Sequence, residues 1–583
     1  MRFPAFIAVI TALVTPAFAD EFFARQVSPK AMEAFTARDA GKPTNADDWM
    51  VAAANPLAVE AGAKVLRDGG TAADAMVAVQ AVLSLVEPQS SGLGGGAFLV
   101  WYDAESGQVT TLDGRETAPL AASPTHFLNE KGEPLKFFDA VVGGRSVGVP
   151  ATPMLMEEAH KRWGRADWSA LFEDASKLAS EGFPISPRMA ASIAWDAERL
   201  ARFPNTAAYF LNEDGTGKPA GSILQNEAYA RTLEALAKHG AGVFYSGPLA
   251  AEIVATVQGA EGNPGLLDLA DLALYRIKER PAVCAPYRGH QVCGMGPPSS
   301  GGLTVAQILG LLTPFDMAEL GPENPESWRL IGDASRLAFA DRGRYMADSD
   351  FVAVPVKGLT DQLYLGTRAN LLSTKKALTD VEAGEPAWDH GQLRGFADDE
   401  SLELPSTSHI SIVDSYGNAL SMTTTVENIF GSRLMAGGFI LNNELTDFSF
   451  RTHKDGRPIA NALAPGKRPR SSMSPTIVLK DGKPVLVIGS PGGSRIIGYV
   501  AKTVIAHIDW GLDVQAAISL PHLSNRFGTY EIEPTAIRYK APLEAMGFET
   551  SVRDLTSGLH GIAIGETLEG GADPRREGIA LGE

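Results

Sequence analysis

The sequence predicts an α+β protein in which helices dominate the first two-thirds and strands dominate after them. Two observations carry that expectation. Apolar residues recur at helical spacing through 56–86 and, in amphipathic form, through much of 150–400, whereas β-alternating runs fill the stretch from about 405 to 500. A chain of 583 residues exceeds what one ordinary core needs, so several domains or one unusually large one are expected.

The N-terminus, "MRFPAFIAVITALVTPAFAD", has Arg2, an apolar run from Phe6 to Val14 and the small-x-small pattern Ala17-Phe18-Ala19 before Asp20. That is the layout of a cleavable signal peptide, residues 1–19, and the run is too short to span a bilayer of about 20 apolar residues. A periplasmic or secreted protein is therefore expected, with no membrane partner. Next come a helix over Pro56 to Leu66, stopped by Gly69-Gly70, and a second from Ala72 to Val86. Gly92 to Gly96 then turns into the strand "AFLVWYD". A Gly-rich turn lying between a helix and a strand, in that order, reverses the dinucleotide-binding signature and excludes that reading. The net charge of −18 argues against a nucleic-acid partner. Hydrophobic content of 45% and charged content of 21% are ordinary for a soluble globular chain.

The two cysteines, Cys284 and Cys293, stand in "AVCAPYRGHQVCGM". If Arg288-Gly289 is a two-residue hairpin turn, counting outward places the two sulfurs directly opposite each other. An exported protein can oxidise such a pair. The disulfide is favoured over two free thiols, although Pro286 weakens a regular ladder. Neither residue has the surroundings of a metal ligand or a catalytic thiol, and no cofactor or metal is implied. From 375 to 405 the chain is acidic and loop-like, and no internal repeat is visible.

The stretch "SHISIVDSYGNALSMTTT" reads as a hairpin, with Asp414, Gly417 and Asn418 supplying the turn. With residues 414–418 as the loop, Val413 faces Ala419, and the same register carries Thr407 opposite Thr425 on one face. Facing Cβ atoms lie about 5 Å apart, within reach of a hydroxyl–hydroxyl bond. A threonine is also simply a good strand residue. A Thr hydroxyl becomes a useful nucleophile when a base is held beside it, and its own α-amine serves if the residue begins a chain. That requires the Ser406–Thr407 bond to be cut.

Nine motifs decide between these readings: "GGTAADAMVAV", "GLGGGAF", "LDGRETAP", "YRGHQV", "PPSSGG", "TSHISIVD", "NNELTDFS", "RPRSSMSPTIV" and "GSPGGSR". From about residue 50 onward the chain resembles the gamma-glutamyltranspeptidase family of N-terminal-nucleophile hydrolases. That resemblance implies a four-layer αββα sandwich, with helices flanking two stacked antiparallel sheets. It also implies a single precursor that cuts itself into a large subunit, 20–406, and a small subunit, 407–583.

By the same resemblance Thr407 is the nucleophile and Thr425 its hydrogen-bonding neighbour. Gly492 and Gly493 supply the oxyanion-hole N–H groups, for which glycine allows the close approach. Arg115, with Ser471 and Ser472, matches the group that holds a substrate α-carboxylate, and Glu444 and Asp447 match the pair that captures its ammonium. The implied partners are a small γ-glutamyl substrate such as glutathione and a water or amine acceptor. Two departures stand out. Glu427 occupies a position where well-known transpeptidases carry Asn, placing a third acid in the ammonium site. The segment 448–470 lacks a lid tyrosine and is basic instead (Arg451, Lys454, Arg457, Lys467, Arg468, Arg470), as expected of a solvated loop. The rivals are an amide acylase of glutaryl type built on the same nucleophile, and an inactive binding protein.

Overall fold

The computed structural model describes residues 22–388, 395–399, 401, 403–404 and 406–583. The expected signal peptide, 1–19, lies outside the described residues. The first of the two predicted helices, α1 (Pro56–Arg67), begins where Asn55 accepts a hydrogen bond from Leu57 N and Pro56 presets the first turn. The second, α2 (Ala72–Val86), opens with a capping box between Thr71 and Asp74. Its residues are mostly apolar and all are buried, Asp74, Gln80 and Ser84 among them.

Fourteen strands make two seven-stranded sheets. In chain order they are β1 (Thr44–Ala46), β2 (Met50–Ala53), β3 (Gly96–Tyr102), β4 (Val109–Gly114), β5 (Lys278–Arg280), β6 (Val283–Tyr287) and β7 (His290–Gly294). The rest are β8 (Ser408–Val413), β9 (Ala419–Thr425), β10 (Thr476–Lys480), β11 (Lys483–Gly489), β12 (His560–Ile564), β13 (Leu568–Ala572) and β14 (Ile579–Gly582). One sheet runs β14-β2-β8-β9-β3-β4-β5, the other β1-β13-β12-β11-β10-β7-β6. All their pairings are antiparallel.

The layers follow from strand alternation. Ile410 and Ile412 of β8 and Leu420 and Met422 of β9 join α1 and α2 in one apolar layer. Val413 and Ala419, on the opposite face, meet Ile477, Val487 and Ile562 of the second sheet. That sheet's outer face (Val478, Leu486, Ile488) packs under α3 (Gly301–Leu312) and α4 (Ile496–Ile508). Helix, sheet, sheet and helix therefore stack in the expected four layers.

The β8–β9 register is the one expected: Ser408 faces Thr424 and Val413 faces Ala419. Cys284 faces Cys293 across β6–β7 and the two form a disulfide. Pro286 pairs with Gln291 without interrupting the ladder, because β6 is an edge strand. In the basic segment Arg451, Lys454 and Arg457 are exposed as expected, but its C-terminal half departs from expectation. Lys467, Arg468 and Arg470 are buried, with Lys467 Nζ donating to the carbonyls of Ala460 and Ala462 and Arg470 paired to Asp399. The chain from 467 to 470 is buried, and a buried guanidinium there needs a carboxylate partner.

Candidate active site

The site lies at one end of the sandwich, between the sheets. Thr407 sits one residue before β8 and Thr425 ends β9, and their hydroxyls are 3.0 Å apart. Thr425 Oγ1 also accepts Glu427 N at 2.8 Å. Thr407 has φ +87°, a region that β-branched residues avoid, at a typical cost of about 1–3 kcal/mol. The surroundings hold it there. Thr407 N donates to Ser90 O at 3.1 Å, and Arg576 Nη1 donates to the Thr407 carbonyl at 2.9 Å. Ser406 Oγ donates to Gln89 O at 2.7 Å, so both residues flanking the 406–407 bond are tethered, Ser406 by its side chain.

The turn "GLGGGAF" explains its glycines here. A Cβ on Gly95 would stand 1.9 Å from Thr425 O, so only glycine lets this segment run against the end of β9.

Around Thr407 lies a cavity of about 20 Å³, room for about one water. Arg115, Thr425, Glu427, Glu444, Asp447, Ser471, Ser472 and Gly493 all line it. Gly492 is the residue just behind that lining. It has φ +137°, Gly493 has φ +60°, and a short 3-10 turn, Gly493–Arg495, leads from them into α4. Glu403 and Leu404, from the segment preceding Thr407, line the same cavity. A Cβ on Gly493 would meet their carbonyl oxygens at 2.5 and 2.8 Å.

The charged groups compensate one another. Arg115 bonds Glu444 through Nη1 and Asp447 through Nη2, and adds Pro469 O at 3.2 Å and Arg470 O at 2.9 Å. Burial opposes its charge, but Glu444 and Asp447 outweigh burial and hold the guanidinium above its ordinary range. Burial raises Glu444 and Asp447 above the usual carboxylate range despite Arg115. Glu427 is raised well above it, by burial and then by the charges of Asp447 and Glu444. Its carboxylate accepts from Asn443 Nδ2, and its backbone sits at φ +74°.

The two serines are set by the "PPSSGG" turn. Ser300 donates to the Ser471 carbonyl through N at 2.8 Å and Oγ at 2.7 Å. Ser471 Oγ accepts Met473 N at 3.1 Å, and Ser472 Oγ accepts Arg342 Nη2 at 2.7 Å.

Sequence reasoning overlooked four residues here. Glu116 is fully buried beside this cluster and pushed up by burial and by Glu444. Its place next to Arg115 in "LDGRETAP" was the available signal. Arg342 pairs with Glu403, and burial followed by the neighbouring Arg470 pulls it down to about 10. Arg342, Glu403 and Arg576 carry no local sequence signal; only the tertiary fold brings them to the site.

The gamma-glutamyltranspeptidase family profile matches residues 58–583. The chain belongs to this family. A glutathione hydrolase proenzyme of Bacillus subtilis (strain 168) is 37% identical over 95% of this chain and 94% of its own. Among solved structures, a cephalosporin acylase from Bacillus halodurans superposes with TM-score 0.81 at 25% identity, covering 93% of this chain and 97% of the acylase. The Helicobacter pylori gamma-glutamyltranspeptidase superposes with TM-score 0.56 at 33% identity, covering 58% of this chain and 96% of that one. As a member of the gamma-glutamyltranspeptidase family the chain is an enzyme, with the family's stacked-sheet fold. Among the described residues no helix is long and apolar enough to cross a membrane.

Proposed function

We propose that the chain is an exported proenzyme that cuts itself between Ser406 and Thr407 and then cleaves γ-glutamyl amides such as glutathione. The observation that carries this reading is the Thr407–Thr425 hydroxyl pair, 3.0 Å apart, opening onto the cavity that holds Arg115, Glu444 and Asp447. In the first reaction Thr407 Oγ1 attacks the Ser406 carbonyl carbon, the peptide bond passes to an ester and the Thr407 amine is released. Water then cleaves the ester, leaving the Ser406 carboxylate and a free Thr407 α-amine. In the second, that amine takes the proton of Thr407 Oγ1 as it attacks the γ-amide carbon. The N–H groups of Gly492 and Gly493 receive the oxyanion, and the proton passes to the leaving amine. Water or an amine then resolves the γ-glutamyl ester.

Substrate binding exchanges ion pairs rather than creating unpaired charge. The substrate α-carboxylate turns to Arg115, Ser471 and Ser472, while its ammonium replaces Arg115 as the partner of Glu444 and Asp447. Leu404 and Glu403 must leave the cavity first, since about 20 Å³ cannot admit a glutamyl group.

A second reading, an acylase for glutaryl-type side chains, draws on the Bacillus halodurans neighbour and on Glu427, whose carboxyl is pushed well above its ordinary range by burial and by Asp447 and Glu444. Purified wild type and Thr407→Ala separate the readings. The wild type is expected to yield a fragment whose N-terminal sequence begins at Thr407 and to release nitroaniline from γ-glutamyl-p-nitroanilide, with Thr407→Ala doing neither. An uncut, inactive wild type sinks both enzyme readings, and preference for a glutaryl anilide selects the acylase.

A further inference from the structure

A second cavity, of about 240 Å³, opens on the small sheet formed by Leu523–Asn525, Tyr530–Ile532 and Thr550–Val552. Arg526, Phe527, Thr529, Glu531, Ser551 and Arg553 line it. Its electrostatics are lopsided. Arg495 grips the Glu531 carboxylate with Nε at 2.7 Å and Nη2 at 2.6 Å. Arg526 Nη2 reaches the same carboxylate at 3.0 Å and Arg553 Nη1 at 3.1 Å. One carboxylate thus faces three guanidinium groups. It offers about four acceptor sites, all of them taken, whereas each guanidinium carries five N–H donors. Positive charge and donors are left over on the cavity side. Burial and the neighbouring Arg495 pull Arg526 below its ordinary range, in line with cations that Glu531 alone does not offset.

The remaining wall suits a small anion. Ser551 stands directly opposite Glu531 in the parallel pair, and the exposed Thr529 adds a second hydroxyl. Phe527 is 45% exposed at the rim, with the Arg526 guanidinium over its ring. The volume is below the ~300–1,000 Å³ of drug-sized pockets, which fits a phosphate or a short dicarboxylate. Arg526 also points inward: its Nη1 donates to Ser494 Oγ, and Ser494 directly follows Gly493. A guanidinium that turned toward a bound anion would pull on that bond.

We propose that this cavity binds a small oxyanion, carboxylate or phosphate, through Arg526 and Arg553, and that occupancy is transmitted to the Gly492–Gly493 turn through Ser494. Calorimetric titration of the purified protein with inorganic phosphate and with succinate, at ionic strength matched with sodium chloride, tests the binding. Saturable binding by either is expected, weakened about ten- to a hundredfold in Arg553→Gln by loss of one charge-assisted hydrogen bond. Arg553 is largely exposed, so this variant folds, and its activity without added anion is expected to stay at the wild-type level. Arg526→Gln should lose the same binding and also abolish any anion effect on kcat. No saturable heat above the salt control, or equal affinity in wild type and Arg553→Gln, overturns the site. Binding that leaves kcat unchanged in the wild type overturns the coupling. The calorimetric result stands independently of whether the γ-glutamyl reading holds.

Discussion

Arg115→Lys isolates what the guanidinium fork does in the proposed clamp. Arg115 makes four polar contacts inside a site where it is only 1% exposed: two carboxylates and the carbonyls of Pro469 and Arg470. Lysine keeps the charge but replaces a planar, two-pronged donor with a point charge. A bidentate contact to the substrate α-carboxylate then falls to a single one. At about 1.5–3 kcal/mol for a hydrogen bond to a charged group, the loss corresponds to roughly 10- to 150-fold in kcat/KM. Arg115→Gln goes further and strips Glu444 and Asp447 of their cation, a change of about 3–5 kcal/mol in stability for a broken buried pair. The assay is kcat/KM on γ-glutamyl-p-nitroanilide, with appearance of the 407–583 fragment on a denaturing gel as internal control. Arg115 bonds neither Ser406 nor Thr407, so Arg115→Lys should form that fragment at the wild-type rate. If it does so and still keeps kcat/KM within about threefold of wild type, Arg115 does not hold the carboxylate.

Other perturbations follow from the same geometry. Thr425→Val removes both the partner of Thr407 and the acceptor of Glu427 N, and should slow fragment formation about tenfold or more on a gel time course. Gly493→Ala, at φ +60° with a Cβ 2.5 Å from Glu403 O, should block both fragment formation and anilide hydrolysis. Glu577 is pushed up to about 7 by burial and then by Glu87, so the native state binds its proton more tightly than the unfolded chain. That contribution is complete below about pH 4 and is lost as pH rises through 7, so Glu577→Gln should match wild type at pH 4 and exceed it by up to ~3 kcal/mol at pH 8 in denaturant titrations. Replacing Cys284 and Cys293 by Ser opens a closed loop of nine-residue separation, which the chain-entropy account values at about 2–3 kcal/mol, and should lower Tm without changing kcat/KM.

Much of this architecture was legible because it is local. The β8–β9 register follows from a five-residue turn and period-two alternation, and it brings the chain to within one residue of the Thr407–Thr425 meeting. The Cys284–Cys293 pair follows from the same kind of counting. The helices α1 and α2 announce themselves by apolar period and by the Gly69-Gly70 stop between them. The charge map of the site was less legible, since it depends on residues hundreds of positions apart. Arg115, matched from the sequence to a substrate carboxylate, sits here against Glu444 and Asp447, because a buried cation cannot stay unpaired in this low-dielectric cluster. Lys467, Arg468 and Arg470 read as a solvated run, since sequence polarity does not reveal that buried carbonyls and Asp399 stand ready to receive them.

The order of strands also bears on what a break at 406–407 would do. β8 and β9 are central in their sheet, with β2 on one side and β3 on the other, and β14 closes the edge beyond β2. The second sheet likewise interleaves β6 and β7 with β10 to β13. Neither piece owns a sheet, so hydrolysis of that bond would be a nick in one cooperative body and not its division. The two products should travel together through purification, melt in a single transition, and refold only in each other's presence. The new chain end at Thr407 would gain an amine while its carbonyl stays bonded to Arg576 and the next residue, Ser408, stays paired in the ladder.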